Sequence, residues 1–100
     1  MNTLKWLSEK LIGNISEAKD YIDKAYMCKE SDKPIADWCM AMANGHLQFN
    51  VAGLALMDKA LNEFSDELLA PGVKAVYALQ RAEIVKQTSH ARALIDMYGK

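Results

Sequence analysis

Two histidines, two cysteines and a scatter of carboxylates are the residues of this 100-residue chain with the chemistry for catalysis or metal binding. His46 is the most informative. On a helix, Cys39 lies two turns before it, beyond hydrogen-bond reach, so the two cannot act as a nucleophile and its base. Ser89 and His90 are no better placed. Glu83 and His90 share a helix face but stand about 10 Å apart along the axis, too far to chelate one ion without a third element. Glu17, Asp20 and Asp23 fall on the outward side of the first helix. No pair of carboxylates is spaced for acid-base work, and we assign no catalytic residue and no cofactor. A metal site, for iron, manganese or zinc, would have to join His46 with Glu17, Glu83 or His90 from another helix or a second copy.

The uncharged polar residues suggest a different role for His46. Asn50 is one turn on from it, and Gln80 and Gln87 sit within an apolar stripe of the last third of the chain. A buried polar group left without a partner costs roughly 1–3 kcal/mol. The expectation is that His46, Asn50, Gln80 and Gln87 satisfy one another or a shared water across the helix interface, in a polar core network that fixes helix register.

The elements that must position these residues are helices. There are 14 alanines against 12 residues of Val, Ile and Thr combined, a bias toward helix. Pro34 follows Ser31, Asp32 and Lys33, a capping signal, and Pro71-Gly72 divides the later segments. Three long helices are expected: Ile15 to Lys29, Pro34 to Glu67, and Gly72 to Tyr98. A short one, Thr3 to Ile12, should end near Gly13-Asn14.

In the first region Leu4, Leu11, Ile15, Ala18, Ile22, Ala25 and Tyr26 fall on one side at helical spacing. The middle helix confines Asp37, Ala41, Asn44, Gln48, Ala55, Lys59 and Asn62 to one narrow stripe. Its other sides are almost wholly apolar, and Cys39, Met42, Phe49, Gly53 and Phe64 share the side of His46. Such a helix must be covered on most of its circumference, so it is central to the bundle or part of an oligomer interface. The third helix should bury Val73, Val76, Tyr77, Ile84, Ala91, Leu94, Ile95 and Tyr98.

Composition narrows the function classes. Hydrophobic residues make up 51% and charged residues 25%, which excludes intrinsic disorder. The net charge is −1, so no bulk basicity argues for a nucleic-acid partner. Residues 34–70 carry five acids and one base, a charge of −4; residues 71–100 carry five bases and two acids, a charge of +3. Antiparallel neighbours of opposite sign attract. Cys28 and Cys39 form neither a disulfide scaffold nor a zinc motif, which fits a cytoplasmic protein with reduced thiols. No signal peptide or membrane span is evident.

The run from Ile15 to Leu61 resembles a group of small ferritin-like helical proteins of phage and prophage genomes. Ser16, Ala18 and Tyr21 match their opening helix, Pro34 and Ala36 the turn, His46 the long helix, and Met97-Tyr98 the closing pair. The resemblance implies a ferritin-like bundle. Di-metal members of that class carry Glu-x-x-His pairs, but Ala43 and Gln87 stand three residues before His46 and His90. The resemblance therefore implies the fold without a bridging di-iron site.

The expectation is thus one all-α domain spanning residues 1–100: an antiparallel ferritin-like bundle of three long helices plus a short N-terminal helix. Homodimerisation follows from the apolar middle helix. The function expected is non-enzymatic, self-assembly or docking of a host or phage protein, through the middle helix or a surface around Trp6, Leu7 and Trp38.

Overall fold

A computed structural model describes residues 2–63 and 71–99. They form three helices, α1 (Asn2–Cys28), α2 (Lys33–Glu63) and α3 (Pro71–Tyr98). The all-α expectation holds. The ferritin-like arrangement of three long helices plus a short N-terminal one does not, because the expected break at Gly13-Asn14 is absent and α1 runs through it.

The physical reason is local against tertiary energy. Among the described residues no glycine has the positive φ of a helix-ending turn. Glycine inside a helix costs about 1 kcal/mol relative to alanine. Leu11 and Ile15, on either side of the glycine, are both buried, and each burial is worth about 1.5–3 kcal/mol. Keeping them on one continuous stripe with Leu4, Ala18, Ile22 and Ala25 outweighs the glycine.

The turn into α2 forms as the sequence suggests. Asp32 donates its backbone N–H to the Cys28 carbonyl at 2.8 Å, and its carboxylate accepts from the Ile35 N–H at 3.3 Å. This is an N-cap. The third helix begins at Pro71, whose missing N–H is no loss at a first helical position. The expected extension of the middle helix through Phe64 to Glu67 lies outside the described residues.

Cross-helix contacts give the topology. Leu11 meets Asn50 and Tyr21 meets Trp38, so α1 and α2 are antiparallel. Ser8 meets Gln80 and Tyr26 meets Leu94, so α1 and α3 are parallel. Asp58 meets Arg81 and Asn44 meets Arg92, so α2 and α3 are antiparallel. The result is an up-down-up rod of 56 × 19 × 15 Å.

The core has two parts. One is small-residue rich, built on Ala18, Ile22, Ala25, Ala36, Cys39, Met40, Ala43, Leu47 and Ala91. The other holds Leu4, Leu11, Ile15, Met57, Leu61 and Ile84. Not every residue expected inside is there. Among the described residues of α3 only Ile84 and Ala91 are fully buried; Val73 and Val76 are exposed, as are Tyr26 on α1 and Phe49 on α2. One row of residues per helix suffices to fill a three-helix core; Val76, Tyr26 and Phe49 lie one step off it, while Val73 is on the row near the start of α3. Among the described residues, no helix is long and apolar enough to cross a membrane.

Candidate functional site

Between the two core parts lies a polar tier. His46, on α2, reaches across to α1. Its Nε2 is 3.1 Å from Glu17 Oε2 and its Nδ1 is 3.3 Å from Asn14 Oδ1. Its ring stacks on Tyr21 at 5.7 Å between centroids, and Tyr21 meets Trp38 edge-on at 5.6 Å. Glu17 sits on the outward flank of α1, as its spacing predicts, and its length lets the carboxylate fold back to His46.

Asn50 is fully buried one turn further along. Its Nδ2 donates to the Leu11 carbonyl at 3.0 Å and to Thr88 Oγ1 at 3.4 Å. Its Oδ1 has no hydrogen-bond partner among the described residues. The glutamines bind elsewhere. Gln80 accepts from Ser8 at 2.7 Å, while Gln87 accepts from Lys19 and donates to Glu83 at 2.8 Å. So His46, Asn50, Gln80 and Gln87 do not hydrogen-bond one another. Each is tied to a residue on α1, and register is held by four separate cross-links rather than one network.

Of the residues that could bind a metal, His46 and Glu17 come together, but Glu83 is tied to Gln87 and His90 lies exposed on α3. Among the described residues no three His, Cys, Asp or Glu side chains are grouped to hold an ion. Two donors fall short of the four or more that zinc, iron or manganese take. The residues do not fit a resident metal, and no step is derived through one.

What the structure leaves open is apolar surface. On α2, Ile35, Trp38, Phe49 and Leu56 are between 48% and 68% exposed. They lie on one face, beside the α1 contact and away from the buried row of Ala43, Leu47 and Met57. Trp6 is exposed too, with the Lys10 ammonium 5.7 Å from its ring. Leu7, expected beside it on the surface, is half-buried against the cluster of Leu4, Leu11, Ile15, Met57, Leu61 and Ile84 instead. A shallow groove of about 390 Å³ runs between α1 and α3 over Ile12, Ile15 and Ile84, rimmed by Lys19, Glu83 and Gln87.

The opposite charges of α2 and α3 meet directly. Arg81 forks onto both oxygens of Asp58, and that carboxylate holds the guanidinium above its usual range through hydrogen bonding and charge. Sequence reasoning missed Asn14, Tyr21 and Thr88 as partners of the polar tier, because only the relative register of the helices reveals them. No family model matches the chain, and neither a curated protein nor a solved structure does.

Proposed function

We propose that this chain is a non-enzymatic interaction module that works through the open apolar face of α2. One observation carries the reading: Ile35, Trp38, Phe49 and Leu56 lie exposed along one face of α2, apart from its buried row. Isolated exposed hydrophobics need no explanation, but an aligned strip running most of a helix marks a contact surface. A role in phage or prophage biology, with self-assembly or a host protein as the partner, fits the resemblance noted above.

The test is a charge placed on the strip. Phe49→Glu should keep the helical circular dichroism of the parent and abolish its association, read by sedimentation. Trp6→Asp should likewise keep its helix content. If Phe49→Glu unfolds, the strip belongs to the core and the reading fails. Elemental analysis after exposure to iron, manganese and zinc should find no stoichiometric metal, and His46→Ala should leave that result unchanged.

A further inference from the structure

We infer that the open face of α2 is closed by α2 of a second copy running antiparallel, with the twofold axis level with Leu47. This rests on the reading of that face as the working surface, and it names the occupant.

The spacing is the first observation. Ile35, Met42, Phe49 and Leu56 recur every seven residues, and Trp38, Gly45 and Ala52 recur every seven, three places later. This is the alternation of three and four that lets two helices interlock along a seam. It is separate from the buried row through Ala43, Leu47 and Met57. So α2 carries two seams, one closed by α1 and α3 and one open.

Size complementarity is the second. The first set is large throughout, while the second holds Gly45 and Ala52. A Cβ at Gly45 would meet nothing within 4 Å, so a slot is open there. Antiparallel pairing about Leu47 sets large on small: Phe49 over the partner's Gly45, and Met42 over the partner's Ala52. Leu56 then meets the partner's Trp38. Parallel pairing would stack like on like, leaving a void at Gly45 and crowding at Trp38.

Charge is the third. Between Asp37 and Asp58 the helix carries no Asp, Glu, Lys or Arg, so two copies do not repel along the seam. At its C-terminal end Lys59 and Glu63 continue the two seven-residue sets. Antiparallel alignment keeps Lys59 of one copy from Lys59 of the other and Glu63 from Glu63. Parallel alignment sets Lys59 on Lys59 and Glu63 on Glu63.

Extent is the fourth. From Ile35 to Leu56 the seam runs about 32 Å. At a helix diameter of about 10–12 Å, it covers on the order of 350 Å² per copy, or about 700 Å² in total, the size of a weak, transient contact. The dimer is therefore reversible.

Sedimentation of the full chain over a concentration series, with cysteine cross-linking under mild oxidation in a Cys28→Ser background, tests this. Position 56 of one copy is level with position 38 of the other, while the two copies of position 56 stand about 27 Å apart, beyond the Cα separation a disulfide spans. Leu56→Cys mixed with Trp38→Cys should form a cross-linked dimer, and neither variant alone should. Gly45→Ala, which has room in one copy but fills the slot for Phe49, should weaken dimerisation about tenfold. Self-cross-linking of Leu56→Cys would overturn the antiparallel seam. So would dimerisation insensitive to Gly45→Ala. A parent chain monomeric at every concentration, beside a Phe49→Glu variant of full helix content, would overturn the second copy while leaving a different protein partner open. An unfolded Phe49→Glu would overturn both.

Discussion

The two ends of the bundle are packed by different means. At one end Ala18, Ala25, Ala36, Ala43 and Ala91 let the helices close on Ile22, Met40 and Leu47, and Tyr98 and Ile95 pack against the rim. That end is also tied by polar contacts: Tyr26 donates to the Leu94 carbonyl at 2.7 Å and Lys29 to the Tyr98 carbonyl at 2.8 Å. The Lys29 contact places a cation at the C-terminus of α3, where the helix dipole favours one. At the other end Leu4, Leu11, Ile15, Met57, Leu61 and Ile84 fill the interior with long side chains, and Val73 and Val76 of α3 stay exposed. The same three helices are thus held by backbone proximity at one end and by side-chain volume at the other. The first should be intolerant of added volume, the second of lost volume.

Substitutions can break or sharpen that contrast. The largest effect is expected at the long-chain end, where Met57→Ala should lower unfolding free energy by about 2–5 kcal/mol, measured in urea. At the small-residue end the mirror experiment is Ala43→Leu, which should cost about 1–3 kcal/mol through overpacking. The contrast fails if Ala43→Leu leaves the urea midpoint unchanged.

At the tier between the ends, Asn50→Leu removes a buried acceptor without a protein partner and keeps the volume. We expect it to be neutral or to stabilise by about 1–2 kcal/mol, while cooperativity of the transition falls because the Leu11 and Thr88 cross-links are gone. A loss of more than about 2 kcal/mol would mean that those hydrogen bonds outweigh the unpartnered oxygen.

Smaller effects come from the glycines. Gly13→Ala, in open space on a helical backbone, should stabilise by about 0.5–1 kcal/mol. At Gly53 a Cβ would collide with Leu11 Cδ2, because that side chain packs over the glycine. In Gly53→Ala the helix gain and the clash oppose, so stability should fall below that of Gly13→Ala in the same thermal melts. The smallest effect is expected at Arg81→Ala, a fall in the thermal midpoint smaller than that of any substitution above, because the Asp58 pair is part-exposed.

Much of the architecture was legible in residue order. The apolar stripe of α1, the cap at Asp32 and the start near Pro71 follow from local rules. The continuity of α1 through Gly13 did not, since local propensity favours a stop there and only packing of Leu11 and Ile15 overrides it. The excess of apolar surface on the middle helix was legible. Which of its residues stay uncovered was not: Phe49 shares the general side of His46, but α1 covers only the His46 flank. The polar partners were illegible for a related reason. Gln80 and Gln87 could be placed on an inward stripe, but Ser8 and Lys19 become their partners only once the offset between α1 and α3 is set by side-chain packing.

The up-down-up order has a mechanical consequence. The start of α1 and the end of α3 lie at opposite ends of the rod, separated by at least the length of α1, about 40 Å. A tension applied between them would slide α1 and α3 along α2 in shear, loading Ser8–Gln80, Asn50–Leu11 and Arg81–Asp58 together instead of peeling them apart one by one. Pulled along its axis, the bundle behaves as a strut, and its resistance to force should exceed what its thermal stability alone suggests.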